Sequence, residues 1–84
     1  MDCVIRRDGN GRFHCEDGPA VIWANGQREY WFHGQLHKPN GPAVTRPDGT
    51  HEYFFYGRLH NPDGPAIICA DGTREYWLHG QRRR

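Results

Sequence analysis

No run of ten apolar residues occurs anywhere in this sequence, so neither a signal peptide nor a membrane-spanning helix is expected. Cysteine is scarce as well. Cys3, Cys15 and Cys69 are an odd number without regular spacing, which speaks against a disulfide framework and makes a reducing, cytoplasmic setting the expectation. Lysine is reduced to Lys38 beside ten arginines, and the formal net charge is only +1. The chain as a whole therefore exerts no strong field on nucleic acid or membrane. Apolar residues nowhere recur at three and four, so no amphipathic helix is expected. A nucleophile elbow, a phosphate-binding loop and zinc-ligand spacing are all missing, and we expect no enzyme, no metal and no cofactor.

Aromatic residues are plentiful by contrast, at 13% of 84 residues, while the apolar fraction is only 36%. A disordered chain is poor in aromatics. The mixture suits one small domain with a thin β-structure, its few core positions filled by large flat side chains.

The dominant signal is an internal repeat of 23 residues. Residues 13–35, 36–58 and 59–81 align without a gap. His14, His37 and His60 share a column, as do the Gly-Pro-Ala runs that start at Gly18, Gly41 and Gly64. The turn glycines Gly26, Gly49 and Gly72 recur, followed by Glu29-Tyr30, Glu52-Tyr53 and Glu75-Tyr76, and then by Gly34, Gly57 and Gly80. Residues 1–12 read as a shortened capping unit, with Cys3-Val4-Ile5 aligned to Ala20-Val21-Ile22 and the second strand left out. Residues 82–84 read as a basic tail.

Within a unit, a β-branched and aromatic run meets Asn-Gly or Asp-Gly and then a second β-prone run, which is the strongest short signal for a hairpin. Pro47-Asp48-Gly49 suggests a three-residue loop, a type I turn closed by a glycine bulge. Pro19, Pro42 and Pro65 belong at strand starts, since proline removes a ladder donor. Gly34, Gly57 and Gly80 mark where the chain leaves the second strand for the next unit. The expected fold class is all-β: a single-layer antiparallel meander of tandem hairpin repeats, without helices.

Strand alternation puts Tyr30 and Phe32 on one face and Glu29 and Trp31 on the other, with the same split in the later units. Successive hairpins should then stack Tyr on Tyr and Trp on Phe on Trp. Both faces carry large apolar groups, so the sheet either curls or is covered, and a homodimer is expected.

Asp71-Gly72, Glu75-Tyr76-Trp77 and Gly80 resemble the core pattern of the MORN-repeat superfamily (membrane occupation and recognition nexus), and more closely its bacterial variants. The resemblance covers almost the whole chain; the histidine and Gly-Pro-Ala columns are additions to it, similar to repeat proteins of phages and bacteria. It implies an elongated single-layer sheet, a scaffolding or binding role and no catalytic residues. Membrane binding does not follow from the family name.

The thrice-copied polar residues read as structural. Histidines set one per hairpin, roughly 10 Å apart, do not converge on a metal; a turn carbonyl or the recurring Glu is their expected partner. Glu29, Glu52 and Glu75 recur in identical settings, unlike a lone general base, and pairing with Arg28, His51, Arg74 or the histidines is expected. Cys15 and His14 are strand neighbours that point to opposite faces, which disfavours a dyad.

Departures from the repeat are the better guide to function. Trp23, Arg46 and Cys69 share one variable column, with His33, Tyr56 and His79 varying nearby, and Trp, Tyr and Arg are the types enriched at interface hot spots. Trp23, Trp31, Arg46, Phe54 and Trp77 are therefore the candidate partner-binding residues. The leading expectation is a protein-binding module that occludes or scaffolds a partner, by analogy with small phage-encoded inhibitors of host defence complexes. The alternatives are nucleic-acid contact through Arg82, Arg83 and Arg84, aided by Arg6, Arg7 and Arg12, and a structural part of a larger assembly.

Overall fold

The structure is a computed structural model that describes residues 4–83, and Cys3 and Arg84 lie outside the described residues. Its regular structure consists of twelve short strands. These are β1 (Val4–Ile5), β2 (Val21–Ile22), β3 (Arg28–Glu29), β4 (Trp31–Phe32), β5 (Gln35–Leu36), β6 (Val44–Thr45), β7 (His51–Glu52), β8 (Phe54–Phe55), β9 (Arg58–Leu59), β10 (Ile67–Ile68), β11 (Arg74–Leu78) and β12 (Gln81–Arg83). The described residues contain no helix long and apolar enough to cross a membrane.

Each Asn-Gly or Asp-Gly step closes the expected three-residue hairpin loop. The Trp23 N–H donates to the Gln27 carbonyl and the Gly26 N–H to the Trp23 carbonyl, both at 2.9 Å. The same pair of bonds recurs at Arg46 and Thr50 and at Cys69 and Thr73. The closing glycines sit at φ +93, +94 and +91, where a Cβ would be strained. The loop carboxamide or carboxylate then takes the next amide: Asn25, Asp48 and Asp71 each accept at 2.9 Å from the residue two positions on.

A second hairpin per unit departs from the sequence reading. His33-Gly34 joins β4 to β5, Tyr56-Gly57 joins β8 to β9, and His79-Gly80 joins β11 to β12. Both residues of each turn have positive φ, at 46 and 82, 48 and 81, and 49 and 79. This is the type I′ geometry, whose twist matches that of paired strands. These glycines therefore turn the chain back on itself before it leaves for the next unit. The last of these hairpins also corrects the basic tail, because Arg82 and Arg83 pair with Trp77 and Tyr76 as strand β12.

The first unit is corrected too. β1 pairs with β2 through Val4↔Ile22 and Ile5↔Val21, the place that β3 takes against β6 through Arg28↔Thr45 and Glu29↔Val44. The Arg6 N–H reaches the Ala20 carbonyl at 2.7 Å, as Tyr30 reaches Ala43 and Tyr53 reaches Ala66. Residues 4–6 thus stand for a second strand, and Val4-Ile5 does not correspond to Val21-Ile22.

The main sheet has the order β1-β2-β3-β6-β7-β10-β11-β12, with β4-β5 and β8-β9 as two-stranded sheets. The long strand of each unit leaves its hairpin partner at Tyr30 or Tyr53 and continues into the second pairing, and β11 makes the same passage unbroken. Bonds that join the two ends of a unit recur every 23 residues: Gly34 to Phe13, Gly57 to Leu36 and Gly80 to Leu59, at 2.7–2.9 Å. The molecule measures 39 × 26 × 16 Å, a thin slab. Among the described residues Ala20, Val21, Ala43, Val44 and Ala66 are the buried apolar ones. With about 2 kcal/mol for a buried valine, so small a core leaves much of the cohesion to hydrogen bonds and ring contacts between units.

Candidate functional site

The expected Tyr-on-Tyr and Trp-on-Phe-on-Trp stacks are not what links the units. Among the described residues the ring ladder runs His14–Phe32–His37–Phe55–His60, with centroids 4.6–6.0 Å apart. Imidazole is flat and small enough to fill the gap between phenylalanines two strands apart, where two indoles or phenols do not meet.

Each of these histidines also meets the I′ turn 19 residues downstream. His14 stacks on His33 at 3.9 Å, His37 on Tyr56 at 4.0 Å, and His60 lies 4.4 Å from His79. The turn N–H of His33, Tyr56 or His79 donates to the histidine Nδ1 at 2.9–3.0 Å. The partner is thus a turn amide, not the carbonyl or glutamate expected from sequence. An accepting Nδ1 places the ring N–H on Nε2. Burial holds His37 below its ordinary value.

Asp8 opens this seam in the place that Phe32 and Phe55 hold later. Its Oδ2 accepts from His33 Nδ1 at 2.7 Å and from Arg12 Nε at 3.1 Å. Its Oδ1 accepts from the amides of Asn10 and Arg12. The His33 bond first, and then these donors and the Arg12 charge, hold the carboxyl well below the usual carboxylate range.

On the opposite face the recurring glutamates organise the candidate binding residues. Glu29 Oε2 accepts from Trp23 Nε1 and Gln27 Nε2, both at 2.7 Å, and Oε1 accepts from Trp31 Nε1 at 2.9 Å. Glu52 Oε2 accepts from Arg46 Nε and Nη2 at 3.1 and 2.9 Å. Glu75 Oε1 accepts from Trp77 Nε1 at 3.1 Å, with Arg82 Nε 4.0 Å away. The partners differ from Arg28, His51 and Arg74 because strand neighbours point to the other face. Substitution follows donor supply. Phe54 brings no N–H to its glutamate, and in that unit Arg46 stands where Trp23 stood. Arg46 also reaches Gln27 Oε1 at 3.4 Å and ties the second unit to the first.

Trp23, Trp31, Phe54 and Trp77 are half-buried on this face, and Arg46 is exposed. The arginines proposed for nucleic acid form no joint patch among the described residues. Arg7 lies over the Phe13 ring at 4.8 Å and Arg12 binds Asp8 near one edge of the sheet, while Arg82 and Arg83 lie on β12 at the other. Cys15 Sγ is 3.2 Å from Asp17 Oδ1 and makes no pair with His14. Among the described residues no three His, Cys, Asp or Glu side chains gather as a metal site requires. The sequence marked His33, Tyr56 and His79 as variable positions but not as turn residues, for which the glycine that follows each is the signal, and Gln27 escaped it. Compared with family models, with curated proteins and with solved structures, the chain matches none.

Proposed function

We propose that this chain is a small MORN-like protein-binding module, without a catalytic centre, that covers or scaffolds a partner surface through Trp23, Trp31, Arg46, Phe54 and Trp77. The observation that supports this reading is the row of glutamates on which Trp23, Trp31, Arg46 and Trp77 are fixed. An indole or guanidinium already held by a carboxylate loses little rotamer freedom on binding, so more of its contact energy remains as affinity. Each of these three carboxylates accepts from at least one side-chain donor, which supports a structural role for it. The same reading includes a cytoplasmic setting and a homodimer that covers part of the exposed apolar surface, of which Ile5, at 43% exposure, lies on the tryptophan face.

Affinity capture with the wild-type chain, repeated with Phe54→Ala and Trp77→Ala variants whose circular dichroism is unchanged, tests the site. Loss of a specific partner by about 2 kcal/mol or more in binding is expected for a central anchor. Undiminished binding by both folded variants would move the interface off this face. Light scattering at micromolar concentration reads the self-association directly, and a monomer there removes the dimer.

A further inference from the structure

Three clefts lie in a row across the units, on the face opposite the glutamates. The first, about 600 Å³, is floored by Tyr30 and Phe32 between residues 15–19 and 37–40. The second, about 650 Å³, repeats it 23 residues later, with Tyr53 and Phe55 between residues 38–41 and 60–65. The third, about 300 Å³, has Tyr76, Trp77, Leu78 and Arg83 beside the same wall at Asn61 and Pro62. Adjacent clefts share their walls: Lys38-Pro39-Asn40 lines the first and second, Asn61 and Pro62 the second and third. The row is continuous, and its period is that of the repeat.

That period is two strand spacings, roughly 9.4–9.8 Å. A polyproline II chain advances about 9.3 Å in one three-residue turn. An extended ligand laid across the strands therefore returns the same side to each successive cleft. Tyrosine and phenylalanine floors with proline walls also suit such a ligand, which is pre-ordered and loses little entropy on docking. The row is charged differently at its two ends. Glu16 and Asp17 stand on the first wall, and Arg83 takes in the third cleft the place of His37 and His60. Between them Lys38 is laid over the Tyr30 ring at 4.0 Å, and Asp63 stands on the far wall of the second cleft.

We propose that the three clefts form one binding site for a proline-rich peptide in the polyproline II conformation. Every third residue seats in a successive cleft, a basic residue lies against Glu16 and Asp17, and an acidic residue six positions away lies against Arg83. Phe54 and Trp77 edge the second and third clefts, whereas Trp23, Trp31 and Arg46 line none of them, so changes at these three separate this site from the glutamate-held face.

Fluorescence anisotropy with three labelled peptides tests it: arginine and glutamate separated by five prolines, the same pair separated by four, and the same pair separated by five alternating glycines and serines. The five-proline peptide should bind at least about tenfold more tightly than either of the others, because only it holds both period and stiffness. Arg83→Ala and Glu16→Ala, both at exposed positions, should each weaken it several-fold at low salt, by roughly equal factors. Arg46→Ala, an exposed position that lines none of the clefts, should leave it unchanged. Equal affinity for all three peptides, or no binding of the five-proline peptide, overturns the proposal, as does full binding by both charge variants.

Discussion

A histidine in this fold does three things at once: it stacks on a turn residue, fills a gap between phenylalanines and accepts a backbone N–H. His37→Ala leaves the Tyr56 amide without its acceptor and opens the ladder on both sides. A loss of about 1–3 kcal/mol is expected in urea unfolding. His37→Phe keeps the rings but not the acceptor, and should recover only part of that loss. Acidity acts on the same bond. Burial lowers the His37 pKa from 6.5, and the groups around its ring are Phe32, Phe55 and Tyr56, none of them a countercharge. The unfolded chain then binds the proton more readily than the folded one. Stability from this residue is full above about pH 6.5 and is lost as pH falls below it toward the lowered folded value. Asp8 works at a lower pH with the same slope. Its contribution is present above 3.8 and is lost as pH falls through the depressed folded value. Unfolding midpoints measured from pH 5 down to pH 2.5 should therefore fall less steeply for Asp8→Asn than for the wild type.

Among the elements, the two kinds of turn differ in how their geometry is held. The three-residue loops are locally determined, since glycine meets the positive φ and the Asn or Asp side chain closes the bend. Around Gly49 no atom lies within 4 Å of an added Cβ, so Gly49→Ala should cost only its backbone strain, on the order of 1 kcal/mol. At Gly34 an added Cβ meets Arg12 Cδ at 3.2 Å. Gly34→Ala should cost distinctly more than Gly49→Ala, because Arg12 must move and it holds Asp8; paired urea titrations give the order. The I′ turns are determined from afar. Histidine or tyrosine at φ 46–49 is strained by roughly 1 kcal/mol on its own, and the stack and hydrogen bond from the histidine 19 residues back offset it.

For the whole molecule, repetition means that stability is close to a sum of unit terms and interfaces between neighbours. Inserting a second copy of residues 36–58 after residue 58 adds one unit and one more histidine seam. The melting temperature should rise, and a fall on thermal denaturation would mean that the units are not interchangeable. Much of this architecture was legible in the residues. The 23-residue period, the all-β class, the Asp-Gly loops and the split of Glu29 and Trp31 from Tyr30 and Phe32 were all available before any coordinates. The candidate tryptophans were legible as a set, but their attachment to the glutamates was not, because alternation names a face and not a partner.

The chain by itself determined whatever depends on neighbours a few residues apart: which segments extend, where glycine permits a sharp loop, and which side chains share a face. Tertiary structure alone decided the second hairpin, the register of residues 4–6 and the amide that each recurring imidazole serves. The reason is physical. A His-Gly or Tyr-Gly step favours no I′ turn locally, and the ring that stabilises it lies 19 residues back, at the opposite end of the 23-residue unit.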